Sequence, residues 1–126
     1  MRILTTLILL FTVGQLLAQS AGVVSGFNDK QLRSEVRKGH FQWVFPPEFT
    51  KEKIDGLAKY YASSFYYSFD VKTNRMDVYP IADSEETRRI MLRFLGACQF
   101  KSVTVGDKVY PLYDFFDQYM HFNEKE

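Results

Sequence analysis

The chain has one cysteine, Cys98, in 126 residues, so no internal disulfide can form and the domain has to hold together by packing. Charge of one sign is equally scarce in excess: 16 basic against 15 acidic residues give a net charge of +1. That balance lacks the basic surplus that nucleic-acid or anionic-membrane binding draws on. Glycine-rich phosphate loops, a G-x-S-x-G elbow, C-x-x-C or H-x-x-x-H ligand spacing and acidic metal loops are all missing. There are no repeats and no Pro-rich or Gly-rich linkers, so a single domain is expected.

One long apolar run is present, Ile3 to Val13 behind Met1-Arg2, and small residues follow at Ala18 and Ser20. This is the shape of a secretory signal peptide over 1–20, and the run is too short for a membrane span. The sequence therefore predicts a secreted or periplasmic protein. With Arg2 removed, 15 basic and 15 acidic residues remain.

Residues 21–39 read as a small, uncharged leader through Gly26 and a short helix over 29–38. Asn28 with Gln31 makes a capping box, and Gly39 supplies a left-handed C-terminal residue. His40 to Phe45 reads as a strand with Phe41, Trp43 and Phe45 on one side, ended by Pro46-Pro47. Thr50 caps a helix to about residue 63 with Ile54, Leu57, Ala58, Tyr61 and Ala62 on one face. Phe65, Tyr67, Phe69 and Val71 then alternate with Tyr66, Ser68 and Asp70, and the pattern resumes over 76–79 after a turn at Asn74, which predicts a hairpin. Asp83 with Glu86 predicts the start of a helix whose apolar stripe is Ile90, Met91, Phe94, Leu95 and Cys98. Arg88, Arg89 and Arg93 fall on its other side, where a solvated face paired with Glu85 and Glu86 is preferred to an anion site. A second hairpin turns at Gly106-Asp107, and Leu112, Phe115, Phe116, Tyr119 and Phe122 form a terminal helix too aromatic to leave in water. A charged tail follows over 123–126.

From His40 to Val105 the order is strand, helix, strand, strand, helix, strand. This is the ferredoxin-like βαββαβ plan, an α+β sandwich with an antiparallel sheet and, here, extra N-terminal and C-terminal helices around a domain spanning 40–122. In that plan, in the hairpin between the helices and in the stretch Phe94-Leu95-Gly96-Ala97-Cys98-Gln99-Phe100-Lys101, the chain resembles small heavy-metal-associated domains. The family binds a soft metal through two cysteines after the first strand. The corresponding Phe45-Pro46-Pro47-Glu48-Phe49-Thr50 has no thiol, so no metal ligand is carried over.

No set of residues makes a recognisable reaction site, and neither enzymatic activity nor a cofactor is expected. His40, His121 and Cys98 have no ligand spacing between them, and Cys98 belongs to a core-facing stripe. The compositional oddity is 17% aromatic residues, with rings on more than one face of several elements. Trp43, Tyr66 and Tyr79 are accordingly the candidate binding surface on the open side of the sheet. The expected role is binding of a protein or peptide. The alternatives are a metal or small-molecule carrier derived from the heavy-metal-associated plan, or a protease-inhibitor or propeptide-like module.

Overall fold

The computed structural model describes residues 22–122; the segment 1–20, expected to be a signal peptide, Ala21 and the charged tail lie outside them. In chain order the elements are β1 (Gly22–Ser25), α1 (Asp29–Arg37), β2 (Phe41–Val44), α2 (Lys51–Ala58), β3 (Phe65–Asp70), β4 (Arg75–Pro80), α3 (Glu85–Ala97), β5 (Ser102–Val105), β6 (Lys108–Pro111) and α4 (Leu112–Phe115). A 3-10 turn over Lys59–Tyr61 extends α2, and a π-helical turn over Phe116–Met120 extends α4. Among the described residues no helix is long and apolar enough to cross a membrane.

The strands form one sheet in the order β3-β4-β2-β1-β5-β6. All neighbours are antiparallel except β1 and β5, which run parallel with Val23 opposite Val103. The architecture is thus α+β on a six-stranded mixed sheet, not the expected antiparallel one of four strands with a short fifth added. The difference comes from residues 22–25, expected as a loose leader. They form a strand between β2 and β5, and Val23 is fully buried. Because β1 is antiparallel to β2 and parallel to β5, its presence leaves β5 antiparallel to β2. Directly after it, Gly26 donates its N–H to the Gln42 carbonyl at 2.9 Å. A Cβ at Gly26 would stand 2.1 Å from Gln42 Oε1, so any side chain there would displace that of Gln42.

One face of the sheet carries the core. Val23, Phe41, Trp43, Phe45, Phe65, Met76, Val78, Val103 and Val105 pack there against Leu32 and Val36 of α1, Ile54 and Ala58 of α2, Met91, Phe94 and Leu95 of α3, and Phe115 of α4. Each helix starts for a local reason. The Asn28–Gln31 capping box forms as expected, and Thr50 Oγ1 accepts from the Lys53 N–H. For α3 the cap is Ser84, which accepts from the Thr87 N–H, rather than Asp83.

Asp83 is released for another task. Arg88, expected in water, is buried at 3% exposure, and all five of its N–H groups find acceptors. Nε and Nη2 reach the two oxygens of Asp83 at 2.8 Å each. Nη2 also donates to the Val36 carbonyl at 2.7 Å, while Nη1 donates to the Met120 and His121 carbonyls at 3.3 and 3.2 Å. One side chain therefore ties the end of α1, the start of α3 and the end of the terminal helix together.

Candidate functional site

The second face of the sheet carries no helix. Alternate residues on it, Val24 and Tyr66, are exposed, while Val23, Ser25 and Phe65 beside them in the chain are buried. At one end this face holds a cluster built by α1, β2, β3 and β4. Gly39, at φ +78°, ends α1 in the left-handed region and swings the chain back so that His40 enters β2 with its ring over the sheet. The ring lies flat on Tyr79, with centroids 4.6 Å apart and planes within 8°. Tyr79 stacks in turn on Tyr66 of β3 at 5.3 Å, its directly opposed cross-strand partner. Phe27 closes the row, edge-on to His40 at 5.2 Å.

Polar contacts hold this row in place. His40 Nδ1 is 2.9 Å from Glu35 Oε2, and Nε2 is 2.7 Å from Asp77 Oδ1. Gln42 Nε2 donates to the same Asp77 oxygen at 2.8 Å. Both carboxylates accept at once when the ring carries a proton on each nitrogen. The His40 hydrogen bond, aided by the Lys38 charge, holds the Glu35 carboxyl below its usual range. Burial, and then the Asp77 charge, push the Tyr79 phenol up. A His held in this way offers no free ring nitrogen to a substrate. The arrangement is a clamp that fixes α1 to the sheet and presents a row of rings.

Of the three residues expected on the binding surface, the structure brings two together. Tyr66 is 58% exposed and Tyr79 half-buried, stacked side by side. Trp43 is a correction: it is 1% exposed and lies against Phe41 and Phe115. It shares the parity of Phe41 and Phe45 on β2, so the pleat turns it to the helices, and the terminal helix covers it. The chain matches no known family model, curated protein or solved structure.

The trio considered for metal binding is dispersed. His40 sits in the clamp, and His121 lies between Glu85 and Asp117. Cys98 is buried, and that burial pushes its thiol up to about 12. Among the described residues no group of three or more His, Cys, Asp or Glu could hold a metal ion. Glu35, His40, Gln42 and Asp77 were not foreseen as a unit. The available signal was parity: His40 and Gln42 alternate with the core residues of β2, as Asp77 and Tyr79 do with those of β4.

Proposed function

We propose that the protein is an exported, non-enzymatic domain that binds an extended peptide segment of another protein along strand β3, beside the Tyr66–Tyr79 row. The observation that carries this reading is the condition of that edge. β3 is the last strand on its side of the sheet, six residues long, and contains neither Lys nor Pro. Natural sheets blunt such edges with charge, Pro or shortness. The opposite edge, β6, has all three: four residues with Lys108 and Pro111. An extended segment added to β3 gains main-chain hydrogen bonds, and the exposed face of Tyr66 gives its side chains an aromatic platform.

In this molecule β2, α2, β3, β4, α3 and β5 follow one another in the order of a ferredoxin-like unit, the order shared with heavy-metal-associated domains, and β1 is laid into it between β2 and β5. Export from the cytoplasm follows from the signal-peptide pattern and leaves the edge available to a partner in the envelope or outside the cell.

A library of extended peptides screened against the purified protein tests this. Selected peptides are expected to bind about tenfold or more weakly to Tyr66→Ala and to lose binding when alternate peptide nitrogens are methylated. Absence of saturable binders, or binders indifferent to both changes, would remove the proposal.

A further inference from the structure

On the helical side of the molecule, away from the sheet face, α3 and α4 leave a cleft of about 320 Å³ between them. Leu92, Leu112 and Phe116 give it apolar walls, and Arg89, Arg93 and Tyr113 stand around it. No acidic side chain lines it. The two arginines are not equivalent. Arg89 lies 3.6 Å from Glu85 and is laid over the Phe116 ring at 4.6 Å, so its charge is already matched. Arg93, one turn further along α3, is exposed and makes no ion pair or ring contact among the described residues. A cationic head thus stands beside an apolar trough with no acidic partner among the described residues.

Gly96 is the second observation. It lies within α3 with helical backbone and needs no left-handed conformation. A Cβ there would meet only Leu112 Cδ1, at 4.0 Å, an ordinary contact. It is the second-last residue of α3, and neither backbone geometry nor crowding calls for glycine there. Gly96 lines the cleft beside Arg93 without contributing a side chain to it.

We propose that this cleft binds a small amphiphilic carboxylate, its head on Arg93 and its apolar body along Leu92, Leu112 and Phe116. At the ~30 Å³ that a water-sized group occupies in a liquid, the cleft takes on the order of ten non-hydrogen atoms. That is the size of a medium-chain fatty acid. Charge complementarity selects the anion: an amine with the same chain would bring its ammonium to the unmatched Arg93 guanidinium.

The test is calorimetric and NMR titration of the purified protein with octanoate, octylammonium and acetate, each below any micelle concentration. Octanoate is expected to saturate at one site, with amide shifts centred on Leu92, Leu112 and Phe116, and octylammonium and acetate to bind at least about tenfold more weakly. Arg93→Gln should weaken octanoate by about tenfold with an unchanged melting temperature, since the side chain is exposed. Gly96→Leu should fill the cleft and abolish binding. Equal binding of octanoate and octylammonium, unchanged affinity in Arg93→Gln, shifts centred on the sheet face, or no saturable octanoate binding would each overturn the proposal. None of these outcomes bears on peptide binding at β3.

Discussion

Arg88 ties three segments of the fold together through one side chain. Its fork pairs with both oxygens of Asp83 and its remaining N–H groups reach three main-chain carbonyls on two other segments. Truncation would strand a partly buried carboxylate and those carbonyls together. Arg88→Ala is expected to lower unfolding free energy by about 3 kcal/mol, near the lower end for breaking a buried pair because Asp83 retains some water. Arg88→Lys should recover little, since one ammonium cannot span the Asp83 fork and the carbonyls at once. Urea denaturation at neutral pH measures both. A cost below about 1 kcal/mol for the alanine variant, as at a surface position, would mean that the arginine is not a clasp. The sequence pattern put this residue in water because a helical wheel registers charge and cannot see five acceptors arriving from elsewhere.

At the scale of elements, what was legible followed period and punctuation. The β3–β4 hairpin turns at Asn74 with φ 54°, the capping box opens α1, and the terminal aromatic helix docks with Phe115, Phe116 and Tyr119 buried. Tyr66 and Tyr79 were legible as a surface because alternation assigns them to the face opposite Phe65 and Val78. Trp43 shows the limit of the aromatic argument, since composition says that rings exceed one face and only parity says which. The clamp was illegible because it joins Glu35, His40 and Asp77, the last two 37 positions apart. β1 was illegible for a different reason. Four residues, Gly-Val-Val-Ser, have too little alternation to announce a strand, and this one exists because β2 and β5 pair with it on both sides. Adjacent valines turn that into a measurement. Val23→Thr would bury a hydroxyl in the core and is expected to cost about 2 kcal/mol, whereas Val24→Thr, on the exposed face, should stay within about 0.5 kcal/mol. Equal, negligible effects in thermal or urea unfolding would return residues 22–25 to a loose leader.

For the whole molecule, the contacts that tie helices to their neighbours predict how stability varies with pH. Three carboxyls are held below their ordinary values: Asp29 by the Tyr119 hydroxyl, Glu35 by His40, and Asp55 by Lys51 and then by the Tyr67 hydroxyl. They link α1 to the terminal helix, α1 to the sheet, and α2 to β3. A depressed carboxyl adds stability above its unfolded value, near 4, and loses it as pH falls through the lower native value. Four other groups shift the opposite way, Tyr79 among them through burial and then the Asp77 charge. Burial pushes the Cys98 thiol up to about 12, burial with the Asp55 hydrogen bond does the same to Tyr67, and Tyr119 is also raised. In these the native state keeps a proton that the unfolded chain releases, so stability falls as pH rises from about 9. Urea midpoints should therefore decline on both limbs. Combining Asp29→Asn, Glu35→Gln and Asp55→Asn should flatten the acid limb and also ease the tyrosine part of the alkaline one, since Asp55 and Asp29 help hold Tyr67 and Tyr119 protonated; Cys98→Ala should flatten the start of the alkaline limb even though it lowers stability throughout. An acid limb equally steep in the triple variant would place the pH-sensitive contacts elsewhere than at these three helix attachments.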